Sequence, residues 1–231
     1  METMYMSNYQ DVLRRLAAYR KRIGMTQIQL AEKMDISQEQ YSYLENGVTK
    51  LTGRNLNILL QSGWNIDYII TGDEFDSGKT ELEEAFDSFG EGKEKEFIMK
   101  LCAEIMIERA GKYYTPKKKV QENLILLEAM LKSWRRFSMI YFVRQRMDLT
   151  QIAMAEKLGV GIKKYRELER EVRYPDAEML LGFYDMSGYR PMLFLNFYDR
   201  RLLLIKQIWS MLTSKEKKIM LEFVRYMRTM L

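Results

Sequence analysis

The stretch "TQIQLAEKMDISQEQYSYLENG", residues 26–47, decides the fold. Behind an N-cap candidate, Thr26, the apolar Ile28, Leu30, Ala31 and Met34 predict a short helix with these side chains facing inward. Asp35 breaks that helix. Ser37, with Gln40 three residues later in the capping-box position, predicts the start of the next, and Asn46-Gly47 its end. Asp is one of the residue types that tolerate the left-handed backbone a sharp helix-to-helix turn requires, so the stretch reads as a helix-turn-helix. Tyr41 and Leu44 are three apart, share a face and anchor the later helix. The opposite face falls to Glu39, Ser42, Tyr43 and Asn46, with Gln38 at its amino-terminal edge. Amide, hydroxyl and carboxylate groups on a rigid helix suit a duplex major groove, where Gln pairs with adenine and a carboxylate accepts from cytosine. A solvated face of an ordinary helix has the same composition, and from the face alone both readings stand.

The same pattern returns as "TQIAMAEKLGVGIKKYRELERE" at 150–171, a constant offset of 124. Nine of twenty positions are identical between 26–45 and 150–169, and the pairs Met34/Leu158, Ile36/Val160 and Leu30/Met154 keep core character. The bend falls on Gly159 in place of Asp35. The outward positions change, to Ile162, Lys163, Lys164, Arg166 and Glu167, and Asn46-Gly47 becomes Arg170-Glu171. Ile162 suits a thymine methyl, while Lys163, Lys164 and Arg166 suit phosphate at least as well as base edges. A repeat retained for packing or dimerisation carries the same signature, and that reading stays open.

Around these motifs the chain reads as helical throughout. Val12, Leu16, Tyr19 and Ile23 form one stripe of a helix ended by Gly24; further helices are expected at 52–62 and 65–70. Residues 73–92 are acidic and glycine-containing, a solvated connector with one short helical piece at 80–89. Phe97, Ile98, Leu101, Cys102 and Ile105 then give a stripe that must pack on something. One long helix is expected from Val120 to about Met147, and two more close the chain, the last capped by Ser214 and striped with Ile219, Met220, Phe223, Val224 and Met227.

Composition agrees with an all-α protein. The 231 residues include only three prolines, and 47% are apolar, enough for real cores. Cys102 is the single cysteine, and there is no histidine, which removes an internal disulfide, most zinc sites and every His-dependent relay. Neither a leader nor an apolar run of spanning length is present, so a cytoplasmic location and no membrane partner are expected. No chemistry is evident, so neither enzymatic activity nor a cofactor is expected. Net charge is +5, distributed as +1 over residues 1–72, −7 over 73–111 and +11 over 112–231, which favours a polyanion partner for the carboxy-terminal half or simply a solvated basic surface. "GDEFDSGKT" at 72–80 fails as a phosphate loop on spacing and on its acidic residues. Glu83-Glu84 read as solvated linker, Lys117–Lys119 as a helix flank or a phosphate contact, and the eighteen methionines as core filling.

Residues 10–72 resemble the Cro/C1-type (XRE-family) helix-turn-helix regulators of phages and bacteria, through "TQIQLAEKMDIS", "YLENGVTK" and "IDYIITGD". The resemblance implies a lambda-repressor-like domain at 1–72. With the repeat it implies a second, degenerate copy at 120–198, a connector at 73–119 and extra helices at 199–231. It implies a transcriptional regulator, repressor-like, with double-stranded DNA as partner. Base reading maps onto Gln38, Glu39, Ser42 and Tyr43, and phosphate contact onto Gln27, Asn46, Lys50 and Arg54. Gln151, Lys163, Lys164 and Arg166 are the corresponding second contact. Arg20 with Glu45 is implied as a structural ion pair, and Arg144 with Glu169 repeats its spacing. Family members bind as homodimers, and one chain with two modules has the alternative of an intramolecular pseudo-dimer. A protein-interaction role, as antitoxin or adaptor binding a partner through the C-terminal helices, and a ligand-responsive regulator are the competing readings.

Overall fold

The computed structural model describes residues 8–74, 78–113, 118–132, 137–210 and 212–231. Its helices are α1 (Tyr9–Arg22), α2 (Gln27–Lys33), α3 (Gln38–Glu45), α4 (Gly53–Gln61), α5 (Ile66–Thr71), α6 (Glu81–Asp87) and α7 (Lys93–Tyr113). They continue with α8 (Lys118–Lys132), α9 (Met139–Arg146), α10 (Gln151–Lys157), α11 (Ile162–Glu169) and α12 (Ala177–Ser187). A 3-10 turn (Pro191–Phe194), α13 (Arg200–Trp209) and α14 (Ser214–Met230) complete the chain. The protein is all-helical, with no strand among the described residues. It divides into two compact units, Met1–Ser77 with Ser138–Tyr198, and Gly78–Phe137 with Asp199–Leu231.

In the first unit, side chains at helix starts absorb the orphan backbone donors. Thr26, Ser37 and Thr52 each form a complete capping box, with Gln29, Gln40 and Asn55. Val12, Leu16, Leu30, Tyr41, Leu44 and Leu56 form the core of residues 8–74. Arg15 fastens α1 to the end of α5 by donating to the carbonyls of Ile69 at 2.8 Å and Ile70 at 2.5 Å. Backbone of positive φ recurs at the offset of 124: Gly24 and Asp148, Asp35 and Gly159, Gly47 and Glu171. Asp35 and Gly159 stand at the two helix-to-helix bends.

Residues 8–74 and 138–198 meet through the same loop of each. The Ala177 N–H donates to the Leu51 carbonyl at 2.9 Å. Gly53 lies so close to Tyr174 and Pro175 that a Cβ there would stand 2.5 Å from the Tyr174 Cβ. Positions 175 and 177 are 51 and 53 advanced by 124, so 53 faces 175 and 177 faces 51, the exchange that defines an isologous contact. Beside it the buried Asp67 accepts from Arg190 Nε at 2.7 Å and from the Met192 N–H at 2.8 Å. Lys50 pairs with Glu178, and the Tyr184 hydroxyl donates to Asp73 at 2.5 Å.

The second unit is a bundle of α6, α7, α8, α13 and α14, in which α8 packs on α7 and α13, and α14 on α6 and α7. Ile98, Cys102 and Met106 of α7, Leu126 and Leu127 of α8, and Leu204 and Ile208 of α13 fill its core. Burial pushes the Cys102 thiol up to about 12, so it is an unreactive core group.

Several expectations are corrected. The helix expected from Val120 to about Met147 is two, because Ser138 takes non-helical backbone and caps α9. The short acidic helix is no solvated piece: Leu82, Glu83 and Phe86 are buried, and the Glu83 carboxylate accepts from the Thr80 N–H at 2.7 Å. Phe97 is 52% exposed, while its stripe partners Ile98 and Cys102 face the bundle. Ile23 is exposed at the end of α1, and Ile28 is 57% exposed rather than inward. Thr213, not Ser214, caps α14, with Glu216 closing the capping box. Lys117–Lys119 lie outside the residues whose side chains are described, as does part of 72–80. No helix among the described residues is long and apolar enough to cross a membrane. Positive charge follows the units rather than the chain halves. The first unit holds 17 basic and 18 acidic residues, net −1, and the second 20 and 14, net +6.

Candidate nucleic-acid interface

The outward face of α3 is held by what lies behind it. Tyr41 and Leu44 are buried, while Gln38, Glu39, Tyr43 and Asn46 are exposed and Ser42 is half-buried. Among the described residues, no later helix of the unit covers this face. Behind it Arg20 grips Glu45, with Nε to Oε1 at 2.9 Å, and also donates to the Met25 carbonyl at 2.8 Å. The Tyr41 hydroxyl donates to Glu45 at 3.0 Å, and Gln27 Nε2 donates to the second carboxylate oxygen at 2.6 Å. Burial would raise the Glu45 carboxyl, but hydrogen bonds from Arg20, Gln27 and Tyr41 outweigh it and hold it below the usual carboxylate range. Burial and the neighbouring Glu45 charge push the Tyr41 phenol up, so it remains a donor.

This buried anchor extends to the surface. Gln38 Nε2 donates to Gln27 Oε1 at 3.3 Å, so the first residue of α3 is linked through Gln27 to the Arg20–Glu45 pair. Gln27 therefore positions Gln38 as well as lying at the start of α2, with one amide proton already given to Glu45. On the same face the Tyr43 hydroxyl donates to Glu39 at 2.8 Å, and Asn46 Nδ2 to Ser42 Oγ at 3.4 Å. Of the phosphate candidates, Lys50 is engaged with Glu178 and Arg54 with Asp35 at 2.9 Å. Both pairs are largely exposed and contribute little, so exchanging a carboxylate for a phosphate costs little.

At an offset of 124 the arginine and glutamine bonds of the anchor recur, while the buried Tyr165 hydroxyl, at the place of Tyr41, makes no hydrogen bond among the described residues. Arg144 Nη2 donates to Glu169 at 2.7 Å, Arg144 Nη1 to the Leu149 carbonyl at 2.9 Å, and Gln151 Nε2 to Glu169 at 3.3 Å. The outward end differs, because Ile162 stands where Gln38 would be and Arg166 Nε donates to Gln151 Oε1 instead, at 3.2 Å. Lys163 and Arg166 are exposed, whereas Lys164 is half-buried and lies 3.6 Å from Asp176. Gly161 opens α11 without a side-chain cap.

Residues 16–61 match the helix-turn-helix family. That match runs from the middle of α1 to the end of α4 and encloses the whole anchored face. The match supports a helix-turn-helix of Cro/C1 type in this stretch. No curated protein and no solved structure matches the chain.

Two features of the helix-turn-helix escape sequence reading. Ile28 and Ile152, at equivalent places in α2 and α10, are 57% and 60% exposed, and Val48 and Val172 after the following helices are exposed as well. An apolar residue one step into a two-turn helix reads as core by period, and only the repeated exposure at 124 marks it as surface. The Asp67–Arg190 pair is the other: Asp67 lies in the "IDYIITGD" stretch, but nothing there marks a partner 123 residues away.

Proposed function

We propose that the chain is a sequence-specific double-stranded-DNA-binding transcription regulator of repressor type, in which α3 reads bases and residues 138–198 are a second, degenerate copy of the same domain. The observation that carries this reading is the outward face of α3, with Gln38 fixed through Gln27 to the buried Arg20–Glu45 pair. A preoriented glutamine amide suits the N6/N7 edge of adenine, and Glu39 suits a cytosine amino group. Asn46, Lys50 and Arg54 border the same face and serve phosphates. The first unit has a net charge of −1, so little affinity comes from its overall field and local contacts must supply most of it. Occupying a promoter is sufficient for repression, and no catalytic step or cofactor is assigned.

The isologous meeting of Leu51 and Gly53 with Pro175 and Ala177 supports an intramolecular pseudo-dimer: one chain places two related helices about a dyad, as two chains do in a homodimer. Selection of bound duplexes from a random library by the intact chain tests the function. An enriched motif is expected, and Gln38→Ala is expected to lose roughly 5- to 150-fold discrimination at one base position with little loss elsewhere. Retention of all sequences alike by the unaltered chain would refute sequence-specific binding.

A further inference from the structure

The two reading faces are not equivalent, and the difference has a direction. At 38, 39, 42, 43 and 46 the first helix-turn-helix carries Gln, Glu, Ser, Tyr and Asn; at 162, 163, 166, 167 and 170 the second half carries Ile, Lys, Arg, Glu and Arg. A decaying repeat loses the outward end of its hydrogen-bond chain once the first residue of the helix can no longer bond. Here the chain is rebuilt from a different position. Glu169 holds Gln151, and Gln151 holds Arg166, which occupies the place of Ser42 one turn along.

Arg166 is exposed, and its bond to Gln151 uses Nε. This leaves the two terminal nitrogens of an exposed guanidinium as a forked pair of donors. A planar fork of two donors matches the O6 and N7 acceptors of guanine, the commonest specific contact of arginine in a major groove. The exposed Lys163 and Arg170 flank it for phosphate, and Ile162 cannot compete for a hydrogen-bonding edge.

Resting on the reading of the first unit as a duplex-DNA binder, we propose that α11 is a second, chemically distinct reading head in which Arg166 recognises guanine. The operator of one chain is then asymmetric, with an adenine contact beneath α3 and a guanine contact beneath α11. Gln151 is a positioning residue for Arg166, as Gln27 is for Gln38.

The test begins with duplexes selected by the full chain and replaces guanines in the enriched site singly with 7-deazaguanine, which lacks the N7 acceptor. For the unaltered protein, one replacement in the half of the site distal to the Gln38-dependent position is expected to weaken binding roughly 5- to 150-fold. Arg166→Ala is expected to bind both duplexes equally, at the weakened level, and to keep its preference at the Gln38 position. Arg166→Lys retains charge without the fork and is expected to lose most of the discrimination. Because 7-deazaguanine is tested on the unaltered chain, the result does not depend on a variant folding. A selected site indifferent to every 7-deazaguanine, with Arg166→Ala weakening all sequences uniformly, would overturn the guanine assignment while leaving the α3 reading intact. Failure of any duplex to be enriched would remove both.

Discussion

Glu45 is the residue on which the outward face of α3 depends, since Arg20, Gln27 and Tyr41 all donate to its carboxylate and Gln38 reaches it through Gln27. Its folded carboxyl lies below the usual range, so its contribution to stability is present above the unfolded pKa and is lost as pH falls through the lower folded value. The difference in urea midpoint between the protein and Glu45→Gln is therefore expected to be largest near neutrality and to shrink below about pH 4. A difference that stays constant from pH 7 to pH 3 would show that the charge of Glu45 contributes nothing. The family resemblance implies the Arg20–Glu45 pair, and the repeat carries the same spacing at Arg144 and Glu169. Neither supplies Gln27 as the bridge, because a glutamine at a helix start is equally at home facing solvent.

At the scale of elements, two glycines that look alike in sequence have opposite roles. A Cβ on Gly53 would stand 2.5 Å from the Tyr174 Cβ and 3.0 Å from the Pro175 carbonyl oxygen, and backbone on both sides limits relief. Gly182, inside α12, would place its Cβ at an ordinary 3.5 Å from Leu158 Cδ2. Gly53→Ala is thus expected to destabilise by about 1–3 kcal/mol, as overpacking does, and Gly182→Ala to stabilise by about 0.5–1 kcal/mol through helix propensity. Thermal unfolding of the two variants reads the sign, and a common sign would contradict the assigned packing. Two helix starts are legible, since Thr26 and Ser37 cap where hydroxyl chemistry places them. Ser138 was missed because apolar periodicity continues on both sides of it and a serine is also tolerated within a helix. Ile28 was misassigned because two turns offer too few positions for period alone to choose the inward face.

For the whole molecule, the all-helical class follows from composition and period, but the assembly of the units does not. The pairing of residues 78–137 with 199–231 in one bundle is a long-range fact that no local signal carries. The meeting of 8–74 with 138–198 through equivalent loops is hinted at by the repeat, yet the contacts that fix it, Asp67 with Arg190 and Leu51 with Ala177, lie outside the repeated motif. The proposal that α3 and α11 read one operator together rests on these contacts. The stoichiometry on DNA tests this most directly. Sedimentation of the full chain with a labelled duplex carrying its selected site is predicted to give a saturated complex of one chain per duplex; a saturated complex of two chains on a symmetric site would contradict the account.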